Sequence, residues 1–139
     1  MWTLAVLALV LAPPEKPDDS AKDLAALNGK WLIVSAEFEG MDSTAIYRKK
    51  TLIVIEDGKL HFTDGFVNSQ PTKFKLNVRT KPRSIDLEDG KGKKVQQGIY
   101  DLDKESLKLC FCLEGDRPKK FKTKPGDKTS FFVLQRQKP

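Results

Sequence analysis

The stretch Val95–Leu113, VQQGIYDLDKESLKLCFCL, decides the fold of this chain. Successive side chains leave opposite faces of a β-strand, so a period of two predicts a half-buried strand. The second half of the stretch has that period: Leu107, Leu109, Phe111 and Leu113 share one face, and Ser106, Lys108, Cys110 and Cys112 share the other. The polar segment 101–106 between the two halves predicts that they pair as an antiparallel hairpin.

Other alternating or β-branched segments predict that a sheet grows outward from this hairpin. They are 30–38, 51–56, 59–63, 72–79, 84–87 and 129–136. Asp57-Gly58 is the strongest hairpin turn between them. Strands close in sequence pair as neighbours, and closure removes exposed edges. The sequence therefore predicts an all-β fold, an antiparallel up-and-down barrel of about eight strands. A short helix over Ala21–Leu27, capped by Ser20, is expected to precede it.

Composition and charge place the chain among globular proteins. Its 139 residues correspond to one domain, with 39% hydrophobic and 32% charged residues. The net charge of +6 favours anionic surroundings such as phospholipid surfaces or acidic polymers. The alternative is that lysines only solvate strand faces and protect sheet edges from unwanted pairing.

The first twelve residues, Met1–Ala12, carry no charged side chain. Such a run is too short to span a bilayer, but it fits the apolar core of a secretory signal peptide. We therefore expect a signal peptide at 1–12, a proline-rich linker at 13–19 and the barrel domain at 20–139. We therefore also expect that the protein is exported to the periplasm, the cell envelope or the medium, and that it has no transmembrane segment. A buried helix or an accidental apolar start is the alternative.

Few residues offer chemistry. His61 lies on the predicted strand 59–63, on the face opposite Leu60 and Phe62, and is expected to face solvent. Cys110 and Cys112 are expected as two free thiols on the outer surface, because Cα atoms two apart on a strand lie ~6.5–7 Å apart, at the limit for a disulfide. A zinc site needs more cysteine or histidine ligands than these three residues supply. We expect no catalytic residue, no metal site and no cofactor.

The barrel interior is the first candidate binding region. An eight-stranded barrel is near the size at which side chains either fill the interior or leave room for one small ligand. Both outcomes remain open. The candidate lining for a small apolar or amphipathic ligand is Phe62, Phe74, Leu76, Val78, Leu109 and Phe111.

The segment Arg117–Lys128, RPKKFKTKPGDK, here called the basic loop, is the second candidate. Basic residues surround Phe121: they are Arg117, Lys119, Lys120, Lys122 and Lys124. Such a loop could hold an anionic membrane surface or a polyanion. One aromatic residue is a poor platform for stacking bases, so no specific nucleic acid is expected. Phe121 is expected to anchor the loop over the barrel mouth. We expect a monomer.

Several motifs together carry a resemblance to a known family. Gly29-Lys30-Trp31 opens the first strand and is similar to the G-x-W motif of lipocalins, and Arg136 matches the basic residue that packs across that Trp. The order Ile85-Asp86-Leu87, Gly98-Ile99-Tyr100-Asp101-Leu102, Leu107-Lys108-Leu109-Cys110-Phe111, Gly115-Asp116-Arg117-Pro118 and Val133-Leu134-Gln135-Arg136 resembles a lipocalin-like domain family expanded in planctomycete bacteria.

The resemblance covers Leu24–Arg136 and implies a small barrel behind a signal peptide, with no activity assigned. It also implies that Trp31 plugs one end of the barrel while Arg136 stacks on it, an apolar plug covered by a charge that stays near water. The chain lacks the long-range cysteine pair of typical secreted lipocalins, which argues against transferring their ligand chemistry.

Overall fold

A continuous antiparallel ladder joins the strands of the computed structural model, which describes residues 17–47, 50–64, 68–91 and 93–138. The elements are α1 (Pro17–Leu27), β1 (Gly29–Phe38), β2 (Met41–Asp42), a 3-10 turn (Thr44–Ile46), β3 (Leu52–Glu56), β4 (Lys59–Thr63), β5 (Thr72–Asn77), β6 (Arg83–Glu88), β7 (Lys94–Asp103), β8 (Ser106–Cys112) and β9 (Thr129–Arg136).

The sheet closes on itself through its first and last long strands. From β3 to β9 each strand pairs with the next, and β1 pairs with β3 on one side and with β9 on the other. Trp31 is thus opposite Ile53 in one ladder and opposite Arg136 in the other. The result is a closed eight-stranded antiparallel barrel, made of β1 and β3–β9, and the predicted fold class is confirmed. The two-residue strand β2 only extends β1 as a hairpin.

Alternation along the strands fills the interior with apolar side chains. One contiguous cluster of buried residues occupies it, and each member exposes at most 8% of its surface. The larger members are Trp31, Ile33, Ile53, Ile55, Leu60, Phe74, Ile85, Leu87, Tyr100, Leu107, Leu109, Phe111, Phe132 and Leu134. The hairpin predicted from 95–113 is present in register, with Gly98 opposite Phe111 and Asp103 opposite Ser106.

The two ends of the barrel differ. At the closed end lie α1, the start of β1, the β7–β8 turn and the end of β9. At the other end, here called the mouth end, lie the β1–β2 hairpin, the start of β7 and both ends of the β8–β9 connection. The β8–β9 connection therefore starts and ends at the mouth end.

The helix begins earlier than predicted. It runs from Pro17 rather than from Ala21, so Ser20 lies inside it and is not its cap, and the last three residues of the predicted linker are helical. Proline is well suited to the first helical turn, where its missing N–H costs no hydrogen bond. The predicted signal peptide at 1–12 lies outside the described residues. Within the described residues, no helix is both long enough and apolar enough to cross a membrane.

Candidate functional site

The six residues predicted to line an interior ligand site fall into three groups. Phe74, Leu109 and Phe111 are buried members of the packed core. Phe62 and Leu76 are partly buried and pack against that core. Val78 was placed inside the barrel by the alternation of 72–79, and this is wrong: β5 ends at Asn77, and Val78 belongs to the turn that follows. Alternation cannot locate a strand end when the turn itself carries an apolar residue.

Aromatic rings close the interior toward the mouth end. The ring centres of Tyr47 and Phe132 are 5.5 Å apart, those of Phe62 and Phe132 are 5.8 Å apart, and those of Tyr47 and Phe62 are 6.1 Å apart. These are the edge-to-face and tilted arrangements that aromatic rings prefer. The concavities found among the described residues are bounded mainly by surface and rim side chains, with one or two core residues such as Leu134 or Phe132 at the edge of some of them. The filled interior is therefore the alternative that the described residues favour.

The basic loop does not cover the mouth; it lies along the outer wall of the barrel. Phe121 was expected to anchor it over the mouth, but its ring lies 6.1 Å from that of Phe131, whose neighbour Phe132 is the one that enters the core. Phe131 pairs with Cys110 on the same outer face. The loop thus adds a second small layer of packing outside the barrel.

This packing buries the two cysteines, which corrects the prediction that they are surface thiols. Cys110 has no exposed surface and Cys112 exposes 6%. The Cys110 Sγ lies 3.6 Å from the carbonyl oxygen of Lys120, and the Cys112 Sγ lies 3.1 Å from that of Glu114. Both thiols are free, and burial raises the pKa of Cys110 to about 12. Strand alternation gave the correct face, but it could not show that a distant loop covers it.

Arg117 anchors one end of the basic loop. Its Nη1 donates to the Gly98 carbonyl oxygen at 2.8 Å and lies 2.7 Å from an Asp86 carboxylate oxygen. Its Nη2 donates to Gln97 at 3.4 Å. Arg117 was predicted to contact an anionic partner, but its charge is already matched by Asp86. Its role in this structure is to position the loop.

Thr123 and Asp127 fix the other end of the basic loop. The buried Thr123 hydroxyl accepts from the Gly40 amide at 2.7 Å and donates to a Glu37 carboxylate oxygen at 2.7 Å. Asp127 accepts from the amides of Lys124 at 2.7 Å and Thr129 at 3.0 Å. The loop is therefore held by specific contacts to β1, β6 and β7 and by its own turn.

The remaining predicted cations stay on the surface. Lys119, Lys120, Lys122 and Lys124 are all exposed, and none of them takes part in the ion pairs found among the described residues. These four side chains, with Arg117, Pro118, Asp127 and Thr129, border a shallow concavity of about 340 Å³. The segment 114–128 carries six basic and three acidic residues, a net charge of +3. The structure thus brings together four of the five predicted basic side chains as unpaired charges.

A second feature, not predicted from the sequence, adjoins the basic loop. Phe38, Met41 and Ile46, here called the apolar rim, expose 39%, 69% and 74% of their surface at the mouth end. The hairpin that carries Phe38 and Met41 turns at Glu39 and Gly40, both with positive φ. A Cβ at Gly40 would lie 2.9 Å from the Pro125 ring, so the hairpin and the basic loop are in direct contact. Isolated exposed residues at strand ends gave no pattern that could predict this rim.

The residues considered for catalysis remain apart. His61 is half-buried on the outer face, opposite Val54 in the β3–β4 ladder, and both cysteines lie in the β8 wall under the basic loop. Within the described part of the chain, no three Cys, His, Asp or Glu side chains come together as a metal site.

The predicted end plug is present. The Arg136 guanidinium carbon lies 4.2 Å from the centre of the Trp31 ring. Beside it is a second polar cluster that sequence reasoning missed: the Tyr100 hydroxyl donates to Asp23 at 2.6 Å, and Arg83 pairs with the same carboxylate at 2.8 Å. Asp23 is 77 residues from Tyr100 in sequence, and no local pattern connects them.

Fold and site together define a small closed β-barrel with a packed interior, a basic loop on its outer wall and an apolar rim at its mouth end. Comparison with protein-family models, with curated proteins and with solved structures found no match to this chain.

Proposed function

We propose that this protein is an exported, non-enzymatic, lipocalin-like barrel that binds an anionic partner through its basic loop. The observation that carries the proposal is the set of four exposed lysines on an anchored loop, Lys119, Lys120, Lys122 and Lys124. Clustered like charges create a local positive potential that raises the concentration of anions nearby. The apolar segment Met1–Ala12 supports export, and the Trp31–Arg136 stack supports the lipocalin-like family.

The anchoring of the loop favours a role in binding a partner over the alternative that its lysines only solvate the surface. A surface loop that is ordered only on binding loses conformational entropy at that moment, and this weakens the complex. Here Arg117, Thr123 and Asp127 hold the backbone before any partner arrives. The four lysine side chains remain free to adjust to the spacing of negative groups.

The packed interior favours this function over binding of a small apolar molecule inside the barrel. Ligand pockets for drug-sized molecules usually enclose ~300 Å³ or more. The apolar concavity beside Tyr47 and Phe132 measures about 190 Å³ and is open to solvent along Phe38 and Ile46. A ligand inside the barrel requires core side chains such as Phe74 or Phe111 to move.

The test is salt-dependent retention of the full chain on an anionic matrix such as immobilised heparin. The loop variant replaces Lys119, Lys120, Lys122 and Lys124 by Gln. The matched control replaces Lys22, Lys59, Lys73 and Lys104 by Gln; these are also exposed, so both variants change the net charge from +6 to +2.

Each lysine near an anionic surface contributes about 1 kcal/mol at low salt. We therefore expect affinity to fall by roughly 10²–10³-fold in the loop variant. The control variant should lose much less and elute close to the wild type. Equal losses in the two variants would show that only net charge matters, and the proposal would be rejected.

A further inference from the structure

We propose that the anionic partner is a phospholipid bilayer, and that the apolar rim inserts between its headgroups while the basic loop lies against them. This inference depends on the proposed function, because it names the partner that the basic loop binds. It adds residues that electrostatic binding alone does not require: Phe38, Met41 and Ile46.

The exposed apolar residues are not spread evenly over the surface. Among the described residues, six large apolar side chains are exposed, and five of them are at the mouth end: Phe38, Met41, Ile46, Val95 and Leu113. Only Val34 lies in the barrel wall. Single exposed apolar residues need no explanation, but a concentration at one end of a molecule marks an interaction surface.

The basic loop and the apolar rim adjoin each other. Besides the Gly40–Pro125 approach, Gly40 donates to Thr123, and the Lys128 amide donates to a Glu39 carboxylate oxygen at 3.2 Å. The apolar rim and the basic loop are thereby joined through one hairpin. Lys91, at the β6–β7 connection, adds an exposed cation at the same end, where Lys94 pairs with Asp86 at 3.3 Å.

Two carboxylates at this end already have partners within the protein. Asp42 accepts from the Thr44 hydroxyl at 2.6 Å and from its amide at 2.9 Å. Glu114 pairs with Lys128 at 2.6 Å. These contacts occupy oxygens of both carboxylates. Together with the net charge of +3 on segment 114–128, they leave a surface that complements negatively charged lipid headgroups.

This combination is chemically specific. Soluble polyanions need cations but gain nothing from Met41 or Ile46. Interfacial binding to membranes depends on both buried apolar area and electrostatic attraction to anionic lipids. A rim of three side chains on a rigid hairpin and an adjoining 3-10 turn can reach the boundary between headgroups and acyl chains without unfolding any strand.

The experiment compares binding of the full chain to unilamellar vesicles of phosphatidylcholine with and without 30% phosphatidylglycerol, by co-sedimentation. The rim variants are Met41→Ser, Ile46→Ser and their combination, and Val34→Ser is the control for an exposed apolar residue outside the rim. All variants share residues 1–16, so any contribution from that segment cancels in the comparison. Retention on the anionic matrix is measured in parallel.

We expect binding that requires the anionic lipid and falls about tenfold or more in the combined rim variant. Val34→Ser should bind like the wild type, and retention of the rim variants on the matrix should be unchanged. A site-specific readout completes the test. Met41→Cys carrying an environment-sensitive dye should shift its emission to the blue on anionic vesicles, and Lys104→Cys in the β7–β8 turn at the closed end should not. Cys110 and Cys112 are buried and leave the introduced thiol selective for labelling.

The outcomes separate the two proposals. Retention on the matrix without any vesicle binding would overturn the proposal that the partner is a phospholipid bilayer. The proposed function would still hold. Vesicle binding that is equal in the rim variants and the wild type would overturn the role of the rim. If the wild type is neither retained on the matrix nor bound to the vesicles, the proposed function and this inference are both rejected.

Discussion

The guanidinium carbon of Arg136 lies 4.2 Å from the centre of the Trp31 ring, and the two side chains together take up the carbonyl groups that end α1. Arg136 donates to the carbonyl oxygens of Ala26 at 2.6 Å and Asn28 at 2.9 Å. The Trp31 Nε1 donates to that of Leu27 at 2.9 Å. Carbonyls at a helix C-terminus have no partner within the helix. One pair of residues therefore plugs the barrel and caps its helix.

Trp31→Ala should lower the free energy of unfolding by about 3–5 kcal/mol, the usual range for truncating a buried aromatic residue. Trp31 has no exposed surface, so nothing can replace the lost packing without rearrangement. Urea denaturation followed by circular dichroism measures the effect. Trp31→Phe is the matched control; it keeps a ring over which Arg136 can stack but loses the hydrogen bond to Leu27, and should cost roughly 1–3 kcal/mol. An unchanged transition midpoint in Trp31→Ala would contradict the plug.

Gly29→Ala should destabilise the protein by about 1–3 kcal/mol, although it adds only one methyl group. The φ angle of Gly29 is +141°, and a Cβ there would lie 2.7 Å from the Arg136 Nη1. The glycine of the G-x-W motif is thus required by the close approach of the arginine as well as by its own backbone. Gly90→Ala is the control, because nothing lies within 4 Å of its Cβ position. Equal effects of the two substitutions on thermal unfolding would contradict the interpretation that Gly29 is required at this position.

The comparison of sequence and structure shows what alternation can and cannot predict. The two-residue alternation along β8 correctly assigned two sets of residues to opposite faces of the strand. Leu107, Leu109 and Phe111 lie on the inner face, and Cys110 and Cys112 lie on the outer face. The alternation follows from local geometry, because each side chain on a strand must leave one face or the other. Strand number and antiparallel order were predictable for the same reason, whereas the Trp31–Arg136 pair was implied only by the resemblance carried by the G-x-W motif. All of them follow from short-range patterns or from one recognisable motif.

Contacts made by the long β8–β9 connection were not predictable. The burial of Cys110 depends on where Lys120 and Lys122 fall, and the pairing of Arg117 with Asp86 depends on the path of the loop across β6 and β7. Loop residues have no period that reveals which surface they cover. The basic loop was therefore identified by composition, but its place on the outer wall and its contact with the apolar rim came only from the structure.

The packed interior predicts that the wild type will not bind fatty acids in its barrel. An environment-sensitive dye should show no saturable signal that a fatty acid displaces, as measured by fluorescence titration. Phe111→Ala should open a cavity beside Gly98, whose Cβ position is 2.5 Å from the Phe111 ring. Engineered apolar cavities of ~150 Å³ take up benzene-sized molecules. The variant should therefore be destabilised by about 3–5 kcal/mol and partly rescued by benzene.

Leu113→Ala is the control for that experiment, because Leu113 is half-exposed at the mouth end and its truncation leaves no enclosed space. Benzene should not change its stability. Saturable, displaceable binding of one fatty acid to the wild type would show that the interior opens in solution, and the basic loop would then no longer be the preferred binding region.

The buried Cys110 thiol predicts how stability depends on pH. Burial raises its pKa from 9.0 to about 12, because the thiolate would be cut off from solvent beneath the basic loop. The folded-state pKa exceeds the unfolded one, so this contribution to stability is complete below about pH 9 and is lost as the pH rises toward 12. Burial also raises the pKa of Tyr100 from 10.0, which acts in the same direction at slightly higher pH.

The stability of Cys110→Ala should therefore fall less steeply above pH 9 than that of the wild type, even if the variant is less stable at pH 7. The measurement is the free energy of urea unfolding from pH 7 to 11 under reducing conditions, compared as slopes rather than as absolute values. Ser106→Ala, at an exposed position of the same strand, retains both thiols and should keep the slope of the wild type. Parallel curves for wild type and Cys110→Ala across the whole range would show that the thiol reaches solvent in the folded protein. In that case the basic loop would not be seated on the wall as described, and the rigidity that supports its binding role would be lost with it.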